Sequence, residues 1–153
     1  MGKVFESTIR FFENDDWSYN VHPDRPILRL PFNGKNGKWN CFAQERGNQL
    51  LFYSVAPVNV SESMRATVAE FVTRANYGMA IGNFELDYSD GEVRYKTCID
   101  IDDDELTDDL IKPIVYVNCL MTDKYFPGLM WVLYGGVSPQ EAVARCEAEA
   151  GVA

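Results

Sequence analysis

Between Phe71 and Ile99 the spacing of apolar residues changes from helical to strictly alternating, and the rest of the chain can be read outward from that switch. Met64, Val68, Phe71, Val72 and Ala75 recur at i, i+4, i+7, i+8 and i+11, one apolar stripe on a helix that Ser61 can cap. Gly78 can end this helix in the left-handed conformation, and Gly82 lets the chain turn into a strand. Asp90-Gly91 then sits between two alternating runs, a strong short-range hairpin signal. A two-residue type I′ turn there predicts the pairs Tyr88–Val93, Asp87–Arg94, Leu86–Tyr95 and Glu85–Lys96. Directly opposed residues share a face of the sheet. One face therefore carries Glu85, Asp87, Arg94 and Lys96, and the other carries Phe84, Leu86, Tyr88, Val93 and Tyr95. A sheet with one wet and one dry face is an antiparallel sheet.

The remaining elements follow from the same periodicities. A first helix is predicted over 3–13, with Phe5, Ile9 and Phe12 on one face and Asn14-Asp15-Asp16 as its stop. Trp17, Tyr19 and Val21 alternate with polar residues as a short strand, and Leu28, Leu30 and Phe32 mark a second. Pro31 places that second strand at an edge or an end, because proline donates nothing to a ladder. Asn33-Gly34 and Asn36-Gly37 predict a polar hairpin loop. Strand three follows over 38–45 and strand four over 49–55. Strand four is apolar on both sides and so central, and the hairpin adds strands five and six. Thr107 is a candidate N-cap, with Asp108 and Asp109 in the favourable first turn. Pro113 is expected to kink the apolar helix that follows or to mark a first turn that breaks there, and Pro127 to start a new helical piece ending at Gly135-Gly136. Ser138-Pro139-Gln140-Glu141 is a capping box that opens a last helix to about Glu149. The pattern contains no repeat or linker. The expectation is a single domain over 1–153, of α+β class, with a mostly antiparallel sheet of about five to six strands and helices packed on one face.

The run RANYGMAIGNFELDYSDGEVRYKTCIDI, Arg74 to Ile101, resembles the signature of the YbjN family, labelled as sensory transduction regulators of bacteria. LRLPFNGKNGKW before it and KYFPGLMWVLYGGVSPQEAV after it fit the family in the same order, so the resemblance spans most of the chain. It implies a fold similar to type III secretion chaperones, and no catalytic residues.

Charge narrows the partners. Lys and Arg number 14 against 23 Asp and Glu, a net charge of −9, which disfavours nucleic acid and anionic membranes as partners. No apolar run approaches the ~20 residues of a membrane-spanning helix. The opening MGKVFESTIRFFENDD has acids and no small-residue cleavage site, and Glu6 stands where a myristoylation motif wants Ser or Thr. The four cysteines, Cys41, Cys98, Cys119 and Cys146, form no CxxC and are expected as reduced thiols in a cytoplasmic protein.

Candidate chemistry is sparse. His22, the one histidine, lies in a turn beside Pro23 with no nucleophile placeable against it. Asp100, Asp102, Asp103, Asp104 and Glu105 cluster, but an EF-hand counted from Asp100 needs Gly where Glu105 stands and Glu where Ile111 stands. These acids are expected as a solvated loop, with no metal. Cys41, Cys98 and Cys119 are expected as buried small apolar residues, and Cys146 as the accessible thiol. Gly78 and Gly82 belong to no phosphate-binding motif. Tyr125, Phe126, Trp131 and Tyr134 are expected in the core, with the lining of a ligand cavity as the alternative.

The reading is a non-enzymatic regulatory or chaperone-like protein that binds another protein, in signal transduction or stress response. Its expected contact face holds Glu85, Asp87, Arg94 and Lys96, and no cofactor is expected. The alternative is a small-molecule sensor with an apolar cavity. The implied likeness to secretion chaperones, together with the apolar stretch from Ile114 to Leu133, predicts a homodimer. Light scattering at micromolar concentration should give twice the chain mass of 17.4 kDa, and the single-chain mass would remove this prediction.

Overall fold

The structure is a computed structural model that describes residues 2–102 and 104–150. Six strands form one antiparallel sheet in the order β1-β2-β3-β4-β6-β5. They are β1 (Asn20–Val21), β2 (Ile27–Asn33), β3 (Lys38–Arg46), β4 (Gln49–Val55), β5 (Asn83–Leu86) and β6 (Val93–Asp100). Four helices, α1 (Lys3–Asn14), α2 (Arg65–Asn76), α3 (Asp108–Tyr134) and α4 (Pro139–Ala150), cover one face. Leu28, Leu30, Trp39, Ala43 and Phe52 pack against α1 and the first half of α3. Phe84, Val93 and Tyr95 pack against α2, α4 and the second half of α3. Strand β4 lies inside the sheet and is buried on both faces over Leu50–Ser54, as its continuous apolar run predicts.

The hairpin departs from the predicted register. The observed pairs are Leu86–Val93, Glu85–Arg94, Phe84–Tyr95 and Asn83–Lys96, and the loop runs from Asp87 to Glu92. Local side-chain bonding lengthened it. The Asp87 carboxylate accepts hydrogen bonds from the Ser89 amide at 2.8 Å and the Ser89 hydroxyl at 2.5 Å, and Asp90 accepts from the Glu92 amide at 2.9 Å. These Asx turns outcompete the two-residue turn. The shift is by two residues, so the faces survive it. Glu85, Arg94 and Lys96 stay together, while Asp87 and Tyr88 leave the ladder. Gly91 has φ +81°, and a Cβ there would overlap the Val60 carbonyl. That approach is used: the Val60 amide donates to the Gly91 carbonyl at 2.8 Å.

The Pro127 expectation is corrected. α3 runs without interruption through Pro113 and Pro127. Pro127 removes the bond that would reach the Asp123 carbonyl. Asn36 fills the vacancy, donating its Nδ2 to that carbonyl at 2.9 Å. The Asp123 carboxylate accepts from the Lys35 and Asn36 amides at 3.1 and 2.8 Å. Gly34 and Gly37 let the loop come this close, since a Cβ on Gly37 would sit 2.7 Å from the Phe126 ring. Ser61 is also displaced from its predicted role. It precedes a 3-10 turn at Glu62–Met64, and α2 starts after it with no side-chain cap. Thr107 does cap α3, accepting from the Leu110 amide at 3.3 Å.

Asn118 joins the two layers. It is fully buried in the middle of α3, and its Nδ2 reaches the carbonyls of Phe52 at 2.9 Å and Tyr95 at 3.0 Å, with the Thr97 hydroxyl at 3.2 Å. Thr97 in turn donates to the Ile114 carbonyl at 2.6 Å. A helix is thus bonded to two neighbouring interior strands, β4 and β6, from within the core.

Two substitutions test these contacts. Gly91→Val should cost about 2 kcal/mol or more, because left-handed backbone and a closed Val60 contact both oppose a branched side chain. Unchanged stability in urea would refute the contact. Asn118→Asp should cost more than about 3 kcal/mol at neutral pH, since it aims a carboxylate at two carbonyl oxygens in a dry site. Asn118→Leu should cost less, because it leaves no buried charge. Equal losses for the two variants would show that the amide donor is not what matters at this position.

Candidate functional site

The sheet face opposite the helices is the candidate site. Alternation along each strand sends Arg29, Lys38, Phe42, Arg46, Leu51, Tyr53, Arg94, Lys96 and Cys98 to this side. The register lines up Arg29, Phe42, Tyr53 and Lys96 as one row across four strands. The next row sets Val55 beside Arg94 and Arg94 beside Glu85. The centre is therefore aromatic and aliphatic, with cations at its margin. Leu51 and Tyr53 are nearly buried although they lie on the side away from the helices. The Arg94 guanidinium lies 4.3 Å from the centre of the Tyr53 ring, within cation–π range.

Three of the four predicted site residues meet here. Glu85 bridges Arg94 at 2.8 Å and Lys96 at 3.0 Å. Partial burial opposes its ionisation, but the bonds from Lys96 and Arg94 outweigh this and hold its carboxyl below the usual glutamate range. Asp87 does not pair with Arg94. It is spent on the loop, where the Ser89 hydroxyl and amide lower its pKa. The face extends past the ladder into an open groove lined by Pro31, Asn40, Phe42, Val55 and Pro57. Arg29, Phe42 and Tyr53 are absent from the sequence prediction of the site. Their signal was present in strand parity: Arg29 lies between the inward Leu28 and Leu30, and β4 keeps apolar residues on the side the helices do not cover.

The charge on this face runs against that of the chain. Its strands carry five cations there (Arg29, Lys38, Arg46, Arg94 and Lys96) against two acids (Glu85 and Asp100). The chain as a whole has net charge −9.

The other candidates are placed elsewhere. His22 is exposed, and its Nδ1 accepts from the Asp24 amide at 3.1 Å. In the acidic segment Asp100 accepts from the Asp102 amide and from Gln49, both at 3.1 Å; Asp103 lies outside the described residues. Among the described residues no group of three or more His, Cys, Asp and Glu is arranged to hold a metal. None of their helices is long and apolar enough to cross a membrane. Cys41 and Cys119 are buried as expected, and the expectations for Cys98 and Cys146 are corrected. Cys146 is buried on the inner side of α4, beside Gly128 of α3, whereas Cys98 is exposed on the bare face. Burial and Asp100 raise the Cys98 pKa, which disfavours its thiolate. Of the aromatics, Tyr125 is core, Phe126 stacks on Trp39 at 6.1 Å, Trp131 is half-buried, and Tyr134 is exposed. The apolar void bordered by Phe71, Phe84, Tyr95 and Leu129 measures about 10 Å³, room for one water and not for a metabolite.

Comparison with known proteins agrees with this architecture. A crystal structure titled "YbjN, a putative transcription regulator from E. coli" shares the fold with a TM-score of 0.63 at 13% identity, covering 78% of this chain and 85% of that one. No curated protein matches the sequence. Residues 9–130 match the family described as "Putative bacterial sensory transduction regulator", and the chain belongs to that family, YbjN.

Proposed function

We propose that this chain is a regulatory protein, not an enzyme, that acts in the cytoplasm by binding an acidic segment of another protein on its bare sheet face. The observation that carries this reading is the partition of charge. An acidic chain gathers cations around an aromatic centre on the one sheet face its helices leave open. Potential complementarity of this kind steers association and selects partners. Phe42, half-buried, supplies the apolar contact, Tyr53 supports the Arg94 guanidinium from beneath, and Arg29, Arg94 and Lys96 supply the charge. Membership of a family described as sensory transduction regulators supports a regulatory role, in signal transduction or stress response. A chaperone-like action, shielding a partner's segment, fits the same surface.

The test is a double reversal, Arg29→Glu with Lys38→Glu, which leaves the Glu85 bridges to Arg94 and Lys96 in place. Both sites are solvated strand positions, so the variant should fold with its melting temperature nearly unchanged. Proteins retained by the wild type from its native cell should be identified by mass spectrometry and their affinities measured singly. Binding should weaken at least ~10-fold in the variant, and wild-type binding should fall as salt rises. A folded variant with unchanged affinities would remove the face from consideration. If duplex DNA were retained instead and lost on reversal, the partner class would be wrong. Saturable turnover of a metabolite would overturn the non-enzyme reading.

A further inference from the structure

Cys41 lies on the inner side of β3 and Cys119 on the facing side of α3, 78 residues apart in sequence. Their sulfurs are 3.9 Å apart, and both residues are buried. This is contact between two thiols, longer than the ~2.05 Å of a disulfide bond. Ser54 completes the cluster, with its Oγ 3.4 Å from the Cys41 sulfur.

We propose that Cys41 and Cys119 form a modification site, where a small peroxide-class oxidant produces an intramolecular disulfide that fastens α3 to the sheet. The two thiols are inequivalent. The hydrogen bond from Cys119 lowers the Cys41 pKa against the opposing effect of burial, and Ser54 assists. The same bond, with burial, raises that of Cys119. Cys41, with the Ser54 hydroxyl 3.4 Å from its sulfur, is the attacking sulfur in the proposed step. Its thiolate attacks one oxygen of hydrogen peroxide; the O–O bond breaks, leaving a sulfenic acid and, after protonation, water. Cys119 gives up its proton and attacks the Cys41 sulfur. The S–O bond breaks and the departing hydroxide takes that proton as a second water. Two thiols and one peroxide become one disulfide and two waters, with both sulfurs oxidised and both peroxide oxygens reduced. Access requires brief local opening of the α3 contact, which suits a small oxidant and excludes bulky ones. The closed link then constrains the unfolded chain over a long loop, so the oxidised protein should be harder to unfold.

The experiment uses the full chain with Cys98→Ser, which removes the exposed thiol and leaves the interior untouched. The folded protein is exposed to hydrogen peroxide and quenched. It is then unfolded in denaturant with an alkylating reagent and mapped by peptide mass spectrometry. The expected result is a Cys41 peptide joined to a Cys119 peptide, with the loss of two hydrogens, both cysteines protected from alkylation, and release by dithiothreitol. The melting temperature should rise on oxidation in this background, and the rise should vanish with Cys119→Ser added. If that second variant does not fold, the cross-link map alone decides. Full alkylation of both cysteines after oxidation, a sulfinic acid at Cys41, or a link to any other cysteine would overturn the proposal.

Discussion

One side chain holds the layers in register. Asn118 places an amide donor between the carbonyls of Phe52 and Tyr95, on two different strands, from the middle of a 27-residue helix. Apolar contacts alone would let a long helix slide or rotate over a flat row of side chains, since burial is non-directional. A buried donor aimed at two fixed carbonyls permits one placement. Thr97 adds a bond from the sheet back to the helix at Ile114, so the two polar links oppose sliding in either direction. The two halves of the core meet at this point, the α1 side on one hand and the α2–α4 side on the other.

A second tie fixes the far end of the same helix. Pro127 leaves the Asp123 carbonyl without a helical donor, and the Asn33–Gly37 loop supplies one through Asn36. What looks like a helix break in sequence is a docking point for a hairpin. With the middle of α3 bonded to β4 and β6, and its second half bonded to the β2–β3 loop, the helices are committed to one face. Among the described residues no helix packs on the other face.

The sequence made legible whatever depends on short-range periodicity. The stripe over Val68–Ala75, the alternation of β2 and β3, the centrality of β4 and the Thr107 cap all follow from local spacing. What was misread depends on competition between bonding patterns. Asp90-Gly91 signals a two-residue turn, but Asp87 and Asp90 could close their own Asx turns and did. Pro127 signals a helix start, but a partner 87 residues away satisfied the carbonyl it exposed. Cys146 was read as accessible from its charged neighbours, while its position on α4 put it against Gly128. The candidate site was half legible. Glu85, Arg94 and Lys96 share a face in any register of the right parity, whereas Arg29, Phe42 and Tyr53 join them only once the strand order is known.

The edge strand β5 carries one further consequence. Asn76, at the end of α2, accepts from the Phe84 amide at 2.6 Å and donates to the Phe84 carbonyl at 3.0 Å, imitating a neighbouring strand with a side chain. At the opposite margin β1 covers only Leu28 and Arg29 of β2, and beyond it Pro31 offers no amide to an incoming chain. Neither border is a ready template for another strand, so fibril growth by edge-to-edge addition has no starting point at these positions. A molecule with an uncovered sheet can in this way remain dispersed: its open surface is broad and charged, and its margins are stoppered by one asparagine and one proline.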